Sequence, residues 1–251
     1  VLSRITLAAH AALIALAAPA AASDILAPGF DWTGLYAGVN AGIAANQSSF
    51  DSSIRDPGNT YDTLKNTLDG SQSGLMGGGM LGYALQTGRF VVGAEADLNY
   101  LGVSDTRSTL EDYDLYNATR KTTIDASWLA TLRGRAGLAA GGFLLYGTAG
   151  LAAGNMEATA TIKAIDLATG DVAKWKGSTE ATNWGWTAGA GLEYGISNVS
   201  FGLEYLWVDL GTADWSGDLS GTLDDAFGNT RVKGEADYQF SITRATAKLH
   251  F

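Results

Sequence analysis

Eight stretches of this chain alternate apolar and polar residues with a period of two, and no other feature limits the fold so strongly. They are Thr33–Asn46, Ser73–Gln86, Phe90–Val103, Ile124–Ala140, Phe143–Met156, Trp184–Ile196, Val199–Leu210 and Gln239–Phe251. Successive side chains of a strand point to opposite faces, so period two predicts strands with two chemically different sides. Each stretch exceeds the roughly 9–11 residues that a tilted strand needs to cross a bilayer's hydrocarbon layer. The connections have a rhythm of their own. Three are short: Thr87-Gly88-Arg89, Gly141-Gly142 and Ser197-Asn198. The other four, 47–72, 104–123, 157–183 and 211–238, are long and polar, and read as loops. Long and short connections alternate, which puts every short turn on the same side as both termini. Short periplasmic turns, long external loops and an even strand number are the pattern of a transmembrane β-barrel.

The two faces then need assigning. One face of the third stretch carries Phe90, Val92, Ala94, Ala96, Leu98 and Tyr100, and the other carries Val91, Gly93, Glu95, Asp97 and Asn99. The fourth sets Ile124, Ala126, Trp128, Ala130, Leu132, Ala136 and Leu138 against Asp125, Ser127, Thr131, Arg133 and Arg135. A soluble barrel would bury the apolar set, whereas a membrane barrel turns it outward to lipid. The aromatic residues decide between them. Tyr100, Trp128, Trp184, Trp186, Tyr205 and Trp207 fall toward the long connections, and Phe90, Tyr194, Phe201 and Phe251 toward the short ones. Two aromatic levels around an aliphatic band suit two membrane–water interfaces, where amphipathic rings settle. Glu193 and Lys248, then Glu95, Arg135 and Glu204, then Asp97, Arg133 and Arg244 fall at successive depths on the opposite face. Four acids and four bases inside a narrow barrel need one another as partners. They are expected to form an ion-pair network that blocks an open channel.

The remaining composition narrows function. Residues 1–22 have a basic start at Arg4, an apolar stretch and Ala20-Ala21-Ala22, the pattern of a secretory signal peptide preceding a barrel domain over 23–251. Asp+Glu 26 against Lys+Arg 16 makes the chain acidic, which argues against nucleic acid as a partner. With no Cys there is neither a disulfide nor a thiolate site. Gly77 to Gly82 matches G-x-G-x-x-G, but inside a strand pattern with no following helix it reads as close packing, not as a phosphate cradle. Glu111-Asp112-Tyr113-Asp114 and the group Asp214, Asp218, Asp224, Asp225 lack the spacing of a calcium loop, so no metal site is assigned. After the signal the one histidine is His250, at the end away from the long connections, so hydrolytic chemistry on external lipid is not expected.

Phe30-Asp31-Trp32-Thr33-Gly34-Leu35-Tyr36-Ala37-Gly38 resembles the opening strand of the small porin-like outer-membrane surface antigens of alphaproteobacteria. Tyr238-Gln239-Phe240 to Lys248-Leu249-His250-Phe251 resembles their last strand. The resemblance covers the chain after the signal. It implies an OmpA-like, all-β, eight-stranded antiparallel up-and-down barrel in the outer membrane of a Gram-negative cell, with Phe251 as the signal read by the barrel-assembly machinery. Some relatives bind haem or host factors, but no residue match carries that over, and no cofactor is assigned. The expected partners are outer-membrane lipid, lipopolysaccharide and a host or surface ligand met by the loops. The expected function is structural: anchoring external loops and supporting the envelope. A narrow or gated porin for small solutes is the alternative.

Overall fold

The computed structural model describes residues 29–47, 49–55, 73–112, 116–221 and 231–251. Residues 1–22, read above as a signal peptide, residues 56–72 of the first long connection, Tyr113, Asp114, Asp224 and Asp225 lie outside them. Among the described residues all regular structure is β: β1 Gly34–Asn46, β2 Ser49–Arg55, β3 Ser73–Thr87, β4 Phe90–Asp112, β5 Tyr116–Ala140, β6 Phe143–Asp166, β7 Val172–Ile196, β8 Val199–Gly221 and β9 Arg231–His250. Neighbours pair antiparallel in chain order, and β1 pairs with β9 to close the sheet. β1 and β2 both pair with β9 and occupy one position in the wall, so the barrel has eight positions. Closure gives every wall strand two partners, as a strand in hydrocarbon requires.

The short connections lie at one end, together with the described ends of the chain. Gly88 and Gly141 take φ of 61° and 58° in two of the turns, a region that a residue without Cβ enters at little cost. Phe30 N donates to Gly141 O at 3.3 Å, His250 N to Asn198 O at 2.8 Å, and Phe251 N to Leu35 O at 2.9 Å. This end is called the base.

At the other end the strands run on far beyond what crossing requires. β5 and β7 have 25 residues each and β6 has 24. Much of what reads as loop in the sequence is paired strand: Ser104–Asp112 with Asn117–Asp125, and Glu157–Ile165 with Val172–Glu180. Thr212–Gly217 likewise pairs with Val232–Asp237. Their outward face is polar, as at Lys163, Lys174, Lys176 and Ser178, so the apolar alternation that marks the strands below stops here and conceals them.

Register breaks cluster near the outer rim of the wall. They fall between Tyr100 and Val103, between Ala126 and Trp128, on the β7–β8 ladder between Lys176 and Trp186, and between Asp209 and Thr212. At the last, Gly211 has φ of 74° and its N–H meets Asp209 Oδ1 at 2.9 Å, the geometry of a bulge. The extra residue at Ser127 corrects the face assigned to Ala126. In an unbroken strand Ala126 would share the lipid face with Leu132, but here it is buried in the lumen at 4% exposure.

Candidate functional site: the barrel lumen

Outside and inside are inverted relative to a soluble protein. Leu35, Val39, Ile43, Leu81, Leu132 and Leu203 are exposed on the outer wall, while Glu95, Asp97, Arg133, Arg135, Glu193, Glu204, Arg244 and Lys248 are all buried. Of the aromatic set, Tyr100, Trp184, Trp186, Tyr205, Phe90, Tyr194, Phe201 and Phe251 are exposed on the wall. Trp128 and Trp207 are half-buried. An exposed aliphatic belt this extensive would aggregate in water.

The lumen is built in three layers. At the base, Trp32, Tyr36, Ala84, Val91, Ala139, Leu144 and Tyr146 form an apolar cluster, with Phe30 packed against it. Residues 29–33 lead into β1 and carry Phe30 and Trp32 to this end of the lumen, where Trp32 N donates to Gln86 Oε1 at 2.9 Å. The rings of Phe30 and Trp32 lie 4.6 Å apart, and His250 stands edge-on to both at 4.9 and 5.7 Å. Inward-facing glycines make room for the large rings. A Cβ on Gly82 would collide with the Tyr36 ring, one on Gly191 with Tyr146, and one on Gly195 with Phe30. Tyr36 and Gly82 are register partners across β1 and β3, as are Tyr146 and Gly191 across β6 and β7. The G-x-G-x-x-G stretch is therefore interior strand, and Gly82 serves the ring opposite it.

The middle layer is the charge network. Arg133 reaches Glu95, Asp97 at 2.7 Å and Glu204 at 2.8 Å, three carboxylates on two strands. Arg244 Nη2 lies 3.1 Å from Asp97 and 2.6 Å from Glu204. Lys248 Nζ is 2.7 Å from both Glu95 and Glu193, and Arg135 Nη2 meets Glu193 at 3.0 Å. Every member has a partner of opposite sign, and the set sums to zero charge. Such burial is costly without partners.

Four further residues belong to this layer. Tyr36 donates its hydroxyl to Glu95 Oε2 at 3.0 Å and accepts from Arg135 Nη1 at 3.1 Å. Tyr146 donates to Glu204 Oε1 at 3.1 Å, and its ring lies 4.1 Å beneath the Arg135 guanidinium. Thr131 donates to Asp97 Oδ2 at 2.9 Å, and Asn99 caps the other oxygen. The inward parity of Tyr36 and Tyr146 was available in the sequence. Their partners were not, because those come from other strands.

The upper layer is mainly apolar, with Asn46, Asn99 and Thr187 as buried polar residues at its level. Leu101, Leu129, Met156, Leu206, Val208, Phe240 and Ile242 are all buried here, between the ions and the external ribbons. A lumen made of charge alone would take in water; this one is roofed.

Ser200 Oγ sits 2.9 Å from His250 Nε2, a pairing that invites comparison with a nucleophile and its base. Ser200 is fully buried, and among the described residues His250 Nδ1 has no hydrogen-bond partner that would orient the imidazole as the third member of a triad does.

A closed sheet with aliphatic side chains outward and opposed charges inward defines a membrane β-barrel. A family model described as outer membrane protein beta-barrel domain matches residues 8–249, and the chain belongs to that family, a protein of the outer membrane. It is 35% identical over 215 residues to the 31 kDa outer-membrane immunogenic protein of Brucella melitensis, covering 81% of each chain. It is 31% identical over 175 residues to a 22 kDa outer membrane protein of Rhizobium leguminosarum, covering 69% of this chain and 70% of that one. Among solved structures, OprG of Pseudomonas aeruginosa aligns over 89% of this chain and 99% of its own at 18% identity, with a TM-score of 0.43.

Proposed function

We propose that this barrel is a non-conducting, non-enzymatic anchor that holds paired ribbons outside the cell and stiffens the envelope. The observation that carries the reading is the three-layer filling of the lumen: Trp32 and Tyr36 at the base, the eight charges in the middle, and Leu206, Val208 and Phe240 above, all at most 6% exposed. An ion would have to displace whole layers, since each charge already has a protein partner. The ribbons above are what the anchor displays, and the likeness to an immunogenic protein agrees with display at the surface. Barrel-assembly machinery reading Phe251 and lipid meeting the outer wall belong to the same proposal. Planar-bilayer recording of the folded full chain tests it. The expected record is a flat baseline, and steady single-channel steps would overturn the sealed lumen in favour of a narrow pore.

A further inference from the structure

The β6–β7 ladder runs without a register break from Phe143↔Tyr194 to Ile165↔Val172. Sidedness therefore carries unaltered from the membrane to the tip. The face that shows Leu151 and Trp184 to lipid continues upward as Glu157, Thr159, Thr161 and Lys163 on β6, and as Thr182, Ser178, Lys176 and Lys174 on β7. On β5, Lys121 joins this face as the register partner of Thr161. Lys121, Lys163, Lys174 and Lys176 are all exposed, and they are four of the chain's seven lysines in a protein of net charge −10.

Their arrangement is compact. Lys121 and Lys176 flank Thr161 in one row, and Lys163 stands directly opposite Lys174 in the next. Strands are about 4.8 Å apart, so four ammonium groups share a patch three strands wide. Between them lie hydroxyl side chains, Thr161 and Thr119, and below them Thr159, Thr123 and Ser178. Asp125, Glu157 and Glu180 hold lower register positions, next to the aromatic rim, and Asp218 on β8 is the register partner of Lys176 on the far side of the patch, so the four lysines outnumber the one acid at their own level. Lys176 is eight residues beyond Trp184 along β7. That is about 27 Å along the strand and roughly 20 Å of height after a tilt near 40°.

We propose that this lysine face binds the phosphorylated core saccharide of lipopolysaccharide in the surrounding outer leaflet. The argument is one of position and charge. A wall face that meets acyl chains below meets the saccharide of those same lipids above, and all four lysines are exposed on it. Ammonium groups pair with phosphates as point charges, and interleaved hydroxyls suit sugar oxygens. A ligand arriving from outside the cell would be better met at the hairpin tip, Leu167–Asp171, which carries no lysine. The proposal rests on membrane placement and not on the sealed lumen, so a conducting barrel that still bound saccharide would overturn the previous reading and leave this one standing.

The test uses the folded full chain in detergent micelles and a delipidated, phosphorylated core oligosaccharide from rough lipopolysaccharide, titrated by calorimetry. Binding is expected, weakening as salt rises, falling at least tenfold when Lys121, Lys163, Lys174 and Lys176 are all replaced by Gln, and absent for the enzymatically dephosphorylated oligosaccharide. Folding of the variant is checked by its mobility shift on gels before and after boiling. Should it not fold, the pair Lys163→Gln and Lys176→Gln carries the test, with a loss of at least threefold expected. Equal affinity of variant and parent overturns the proposal. So does no binding by the parent, undiminished binding of the dephosphorylated sugar, or capture of heparin without capture of the phosphorylated core.

Discussion

The β6–β7 hairpin passes through two environments on one unbroken ladder, and its two halves differ in what constrains them. In the lower half the outward face is Leu145, Leu151, Ala188, Leu192 and Trp184, and the inward face is Tyr146, Thr148, Thr187 and Glu193, each with a defined neighbour. In the upper half the outward face turns to Glu, Thr, Ser and Lys with no change in backbone pairing. The backbone satisfies the same hydrogen bonds in both halves; only the solvent on the outer side changes. Strand formation here is thus independent of the solvent, while side-chain identity records it. A region bounded by lipid and by a packed lumen tolerates little, and a region wet on its outer face tolerates more.

The sharpest way to break this contrast is in the middle layer. Arg133→Leu would leave Glu95, Asp97 and Glu204 each short of a cation. Removing one partner of a buried pair costs about 3–5 kcal/mol, so the boiling-dependent mobility shift of the folded barrel should be lost at a clearly lower urea concentration. An unchanged unfolding midpoint would mean that water reaches those carboxylates and that the layers are not sealed.

A second comparison moves one substitution along the wall. Leu132→Arg places a guanidinium on the exposed aliphatic band, where a midplane charge costs about 2–4 kcal/mol. Thr159→Arg on the same outward face, above the rim, should stay within about 0.5 kcal/mol of the parent. Equilibrium unfolding in lipid vesicles measures both, and equal penalties would put the membrane boundary in the wrong place.

The smallest effect is expected at the base. Gly82→Ala drives a Cβ into the Tyr36 ring, and such overpacking costs about 1–3 kcal/mol. Combining it with Tyr36→Leu should cost less than the sum of the two single changes, because the clash and the ring disappear together. Strict additivity of the unfolding free energies would show that Gly82 does not serve that ring.

Much of the lower half could be read from the chain before any coordinates, and the reasons are local. Arg133, Arg135, Glu95 and Asp97 interrupt apolar alternation at odd positions, and a strand's period carries them to one side together. The upper half was opaque because Thr159, Thr161 and Lys163 alternate with Ala158, Ala160 and Ile162 too weakly to separate a ribbon from a loop. The apolar roof was hidden for another reason. Leu129 and Leu206 face inward and Leu132 and Leu203 outward, and a leucine against a packed lumen is written with the same letter as one against an acyl chain. The bulge at Ser127, which turns Ala126 inward, leaves no mark in composition at all.

By itself the chain determined the number of wall crossings, which end carries the short turns and which faces hold charge, since all three follow from a two-residue period and the lengths between stretches. Tertiary structure alone decided which acid meets which base, that tyrosines 36 and 146 close the network over glycines on neighbouring strands, and that lysines from three strands meet on one outer face. Register sets those juxtapositions. It is fixed by closure of the whole sheet and by bulges at its rim, so no single strand contains the information.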